Sequence, residues 1–179
     1  MDLRRKGRSL FAFYMFGFFV GNIYVNLFAE EYITSIGIFA DQFLKHYIST
    51  DVNEDKYMVY LLGVRLIPML VLFGLGFTRI RKMAVIIILA WTGFMNGIIV
   101  AAAIIKMGLS GTLFYIVAMF PHMPFYFLAY TILFWNMMQS YKMKWNYFQI
   151  IVSVVSICIG IITECYVNPV LMKMFLKTV

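Results

Sequence analysis

Apolar residues in this chain come in long runs separated by short basic turns, and that alternation leaves few folds open. One helix needs about 20 apolar residues to cross the hydrocarbon core of a bilayer. Five runs of roughly that length cover residues 9–28, 57–76, 83–105, 112–138 and 147–172. Lipid offers a backbone amide no partner, so a run placed in lipid must close its hydrogen bonds within itself, as a helix does. The composition agrees, with 63% of residues hydrophobic and 13% charged, against about 45–50% and about 25% in soluble domains. The expected fold is all-α: residues 1–179 form one integral membrane domain, a bundle of five transmembrane helices joined by short turns, with one longer outer loop over 29–56. The net charge of +7 could suit a nucleic acid. The basic residues flank the apolar runs rather than lining a polar face, as topology signals do. The expected surrounding is therefore the lipid bilayer of the cell membrane, with no nucleic-acid partner.

The run 9–28 follows Arg4, Arg5, Lys6 and Arg8 and could be taken for a signal peptide. Its apolar core is long, however, and Ala29 is followed by Glu30 and Glu31 instead of an A-x-A-like cleavage site, so it reads as an uncleaved first span. In the loop 29–56, Ile33, Ile36, Ala40, Phe43, Leu44 and Tyr47 recur at helical spacing, with Glu31, Asp41 and Lys45 on other faces. A short amphipathic helix lying in the interface is expected there, and Glu31, Asp41 and Lys45 are the candidate contacts for an external partner. With the N-terminus in the cytoplasm, the inner segments hold Arg4, Arg5, Lys6, Arg8, Arg79, Arg81, Lys82, Lys142 and Lys144, and the outer ones hold Lys45, Lys56, Lys106, Lys173 and Lys177. The short loops then obey the positive-inside rule, with the C-terminus outside.

Polar residues inside the runs are the candidates for function, because intramembrane polar groups must be paired or hydrated. Counting about 1.5 Å per residue, Arg65 lies about 12 Å and His122 about 15 Å below the outer ends of their spans. Asn96 lies about 20 Å and Glu164 about 25 Å from the inner starts of theirs. Glu164 is the only acid within the apolar runs. It is expected either to pair with Arg65 or to leave each charge reaching separately for the outer interface. Asn168 follows one turn later. Pro68, Pro121, Pro124 and Pro169 interrupt helices by removing an amide donor, and Pro169 is expected to end or bend the fifth helix. Gly17 with Gly21, and Gly93 with Gly97 beside Asn96, form small-xxx-small pairs that allow close backbone approach. Cys158 and Cys165 stand two turns apart on one helix, too far to bridge, and read as buried thiols.

The chemistry of an enzyme is thin. The two histidines, His46 and His122, belong to no H-E-x-x-H. No G-x-S-x-G or Walker-type loop occurs, and His122 with two thiols on another helix is short of a metal site. No catalytic residue, cofactor or metal is expected.

Two blocks carry a resemblance. Gly108-Leu-Ser-Gly-Thr-Leu-Phe-Tyr-Ile-Val-Ala-Met-Phe-Pro-His122 resembles the central block of the stage II sporulation protein M family, a Gly-containing turn followed by an apolar run that ends in Pro and His or Gln. Thr163-Glu-Cys-Tyr-Val-Asn-Pro-Val-Leu-Met-Lys173 resembles its closing motif. Met123, Pro124 and Phe125 stand where many members have Gly and then an acid. The resemblance implies a membrane scaffold in the mother-cell septal membrane of an endospore former. It would hold the peptidoglycan-degrading stage II sporulation proteins D and P during wall thinning and engulfment. A membrane subunit of an ABC-type or other transporter is the alternative, and self-association into a homo-oligomer is compatible with both.

Overall fold

The computed structural model describes residues 3–29, 54–139 and 146–178. The expected amphipathic helix of the outer loop, with Glu31, Asp41 and Lys45, lies outside the described residues. Every described element is a helix. Helix α1 spans Leu3–Tyr24 and runs on into a π-helical turn, Val25–Ala29. Helix α2 spans Glu54–Gly76, α3 Arg81–Met107, α4 Leu109–Met119 and α5 Met123–Met138. Helix α6 spans Tyr147–Ile162, a second π-helical turn Thr163–Val167, and α7 Asn168–Thr178.

Among the described residues, four helical stretches are long and apolar enough to cross a membrane: Gly7–Phe28, Asp55–Gly76, Arg81–Met107 and Tyr147–Thr178. The pair α4 and α5, bent by 65° at its break, makes up to five if it counts as one span. The helices run past the expected limits. The interval 106–111 left between the third and fourth runs shrinks to a turn at Gly108, the one described residue with positive φ, at 60°. There the Gly108 N–H donates to the Ile104 carbonyl at 2.8 Å, and the left-handed backbone lets α4 begin at once.

The prolines act differently from one another. Pro68 sits inside α2 without ending it. Pro121 falls in the break between α4 and α5, and Pro124 is the second residue of α5, where the first turn needs no amide donor. Pro169 does not end the last helix. The π-helical turn comes immediately before it, with the Asn168 N–H bonded to the Thr163 carbonyl, and the wider turn absorbs the ring that an α-helical turn would crowd.

The chain divides into two compact units. In the first, α1 lies along α3 through the two glycine pairs. A Cβ on Gly17 or Gly21 would collide with the carbonyls of Ala90 or Phe94, and one on Gly93 or Gly97 with those of Tyr14 or Phe18. Residue numbers rise together on both helices, so they run parallel. Their backbones approach closely enough for Cα–H to carbonyl contacts. Asn96 Nδ2 donates to the Tyr14 hydroxyl at 3.0 Å across this seam.

In the second unit, α2, α5, α6 and the π-helical turn share a core of Leu61, Tyr126, Ala129, Ile157, Ile161 and Cys165, flanked by Met58, Leu66 and Met69. Asn136 Nδ2 donates to Gln149 Oε1 at 3.2 Å near one end of the α5–α6 pair, while Tyr126 lies against Gly160 towards the other. Those two helices are therefore antiparallel. Cys165 is buried as expected from its place on the helix, whereas Cys158 faces outward.

A buried polar cluster as the candidate functional site

The second unit gathers charge around Glu164. Arg65 is the middle residue of the 23-residue α2, about 16 Å from either end at 1.5 Å per residue. The three residues by which α2 starts earlier than expected, Glu54, Asp55 and Lys56, are charged, so the depth of Arg65 below the apolar edge at Tyr57 stays at about 12 Å. Its Nε donates to Glu164 Oε2 at 2.9 Å and its Nη2 to Oε1 at 2.5 Å. This is the two-pronged geometry that a planar guanidinium offers a carboxylate. Tyr126, from α5, donates its hydroxyl to Oε2 at 2.7 Å. The Tyr126 ring also lies 5.0 Å from the Arg65 guanidinium carbon, within cation–π range. His122, four residues before Tyr126 and at the N-cap of α5, turns Nε2 towards Glu164 Oε1 at 4.0 Å. That is beyond a hydrogen bond.

Burial decides what these contacts are worth. The Glu164 and His122 side chains are each 7% exposed and that of Arg65 is 35% exposed. A lone carboxylate so enclosed would be costly, and two cationic N–H groups with a phenol satisfy it. Interhelical polar contacts of this kind in membranes contribute about 0.6 kcal/mol each on average and up to about 1.7.

Local structure aims the groups. The π-helical turn adds a residue to the helical phase at Glu164, as such bulges do at functional positions. Thr163 donates its hydroxyl back to the Ile159 and Gly160 carbonyls, both at 2.9 Å, and closes the upstream end of that turn. Gly160 leaves room for the Tyr126 ring, since a Cβ there would lie 2.6 Å from Cε1.

The structure thus brings together Arg65, His122 and Glu164. Asn168 lies one turn beyond Glu164, with its buried Oδ1 lacking a hydrogen-bond partner, as do His122 Nδ1 and Ser153 Oγ. Asn96 belongs to the first unit and bonds to Tyr14. Sequence reasoning missed Tyr126, hidden among many aromatics; its i+4 spacing from His122, which places both on one helix face, was the available signal. It also missed the Asn136–Gln149 contact, which no motif announces.

Among the described residues, no three His, Cys, Asp or Glu side chains gather as metal ligands. What the cluster can do is hold α2, α5 and the last helix in one register. The fold and site define a chain that is helical throughout its described elements, with several helices fit to cross a membrane, clamped in one unit by an internal ion pair. No protein-family model, no curated protein and no solved structure matches it.

Proposed function

We propose that this chain is a five-span scaffold of the cell membrane, N-terminus in the cytoplasm and C-terminus outside. It gathers peptidoglycan-degrading proteins at a septal membrane, as its resemblance to the stage II sporulation protein M family implies. The observation that carries this reading is the meeting of the two resembling blocks: His122 closes the first, Glu164 belongs to the second, and their side chains face each other at 4.0 Å. A clamp of Arg65, Tyr126 and Glu164 suits a protein whose task is to hold a shape. The parallel course of α1 and α3 supports spans that alternate in direction, with α2 returning between them. The outer loop with Glu31, Asp41 and Lys45 is the surface on the side of the cell wall.

The test is co-production of the tagged chain with stage II sporulation proteins D and P, followed by capture in mild detergent. Both should be recovered, and replacing Glu31, Asp41 and Lys45 together should reduce recovery at unchanged protein level. Recovery of neither with the unaltered chain overturns the reading. The second reading, a membrane subunit of an ABC-type or other transporter, draws on the break at Phe120–His122 beside a buried polar cluster. Transporters place their sites at interrupted helices. Stable capture of an ATPase in place of the wall-degrading proteins would favour it.

A further inference from the structure

We infer that the outward edge of Arg65 is a docking point for a transmembrane helix of another protein, one that presents a carboxylate or carboxamide acceptor at mid-membrane depth. The inference rests on the membrane scaffold reading and names the chemistry of a partner.

A guanidinium carries five N–H donors. Glu164 takes one from Nε and one from Nη2, and the Tyr126 ring covers a face. Both bonds to Glu164 leave Nη1 unused, and the side chain remains 35% exposed. In lipid, donors without acceptors are strongly disfavoured. Arginines near helix ends escape by reaching the headgroups. Arg65, the middle residue of α2, lies about 12 Å below the apolar edge of its run at Tyr57, beyond the reach of that escape.

A second copy of this chain is a poor occupant. Glu164 is the only acid in the apolar runs and is already engaged, the unpartnered Asn168 Oδ1 is buried, and the other span carboxamides are engaged within the chain, Asn96 with Tyr14, Asn136 with Gln149 and Asn26 with Asn22. The helix face beside Arg65 is open, with Leu62, one turn away, 38% exposed. An acceptor brought by a foreign helix would complete the arginine while Glu164 keeps it oriented.

The test uses the full chain in phosphatidylcholine vesicles with labelled synthetic poly-leucine transmembrane peptides carrying Asp, Asn or Leu at the centre. Association is read by energy transfer. The Asp and Asn peptides should bind about three- to twentyfold more tightly than the Leu peptide, the range of one interhelical polar contact. The preference should vanish in the double variant Arg65→Met/Glu164→Gln, which leaves no unpaired charge and no donor at position 65, and which keeps the test valid where Arg65→Met alone misfolds. Equal binding of all three peptides overturns the inference. So does rapid modification of Leu62→Cys, in a Cys158→Ser background, by a membrane-impermeant thiol reagent, which would mean that water already solvates Arg65. In either case, continued capture of the wall-degrading proteins would leave the scaffold reading standing and remove only this contact.

Discussion

Arg65 and Glu164 are the clearest case of chemistry read from single residues. One acid and one arginine lie within the apolar runs, so pairing was one of two expectations, the other being separate reach to the interface, and the structure places them in bidentate contact. Arg65→Gln or Glu164→Gln alone strands the remaining charge. For a fully buried pair this costs about 3–5 kcal/mol, and less here because Arg65 is partly exposed. The double variant should cost less than the sum of the singles by about 0.5–3 kcal/mol of coupling, measured by unfolding in mixed micelles. Strict additivity would mean that the two charges do not depend on each other. Tyr126 was not legible in this way, since a tyrosine is an ordinary lining residue of a membrane helix, and only its position over Gly160 turns its hydroxyl to Glu164.

At the scale of elements, the small-residue pairs are more than spacing. Gly17 and Gly21 on α1 face the backbone of α3, and Gly93 and Gly97 on α3 face that of α1. Each pair could be seen in the sequence, but not that they meet, because that depends on how each helix is rotated about its axis. Alanine at Gly21 or Gly93 places a methyl against a carbonyl that cannot move without its helix. The expected loss is about 1–3 kcal/mol in the same unfolding measurement, while Gly63→Ala, whose Cβ meets nothing within 4 Å, should be close to neutral. Equal effects at all three positions would show that the seam tolerates separation. Pro169 teaches a similar lesson. A proline in a helical run normally predicts a stop, yet the preceding π-helical turn carries the helix through to Thr178.

For the whole molecule, the open question is whether α4 and α5 make one bent span or dip in and return. In the proposed orientation they cross once, which puts Lys142 and Lys144 on the cytoplasmic side in keeping with the positive-inside pattern. Single cysteines at Thr178, Phe77 and Ser140, in a Cys158→Ser background, should divide accordingly. An impermeant reagent added to intact cells should label Thr178→Cys and leave Phe77→Cys and Ser140→Cys untouched. Labelling of Ser140→Cys would instead make the Pro121–Pro124 break the turning point of a re-entrant pair.

The sequence by itself determined that the chain is helical, that its helices are long and apolar enough for a membrane, and which few polar residues they carry. These follow from local rules, because a backbone in lipid can satisfy its amides only within its own helix and hydropathy is a property of each run. Only the tertiary structure decided which faces meet. It brought His122 of one block to Glu164 of another, set Tyr126 against both Glu164 and Arg65, turned two glycine pairs towards each other, and left part of the Arg65 guanidinium uncovered. Such choices depend on the rotational phase and bend of each helix. A single extra residue in a π-helical turn shifts that phase, and no local pattern in the sequence marks where it will be inserted.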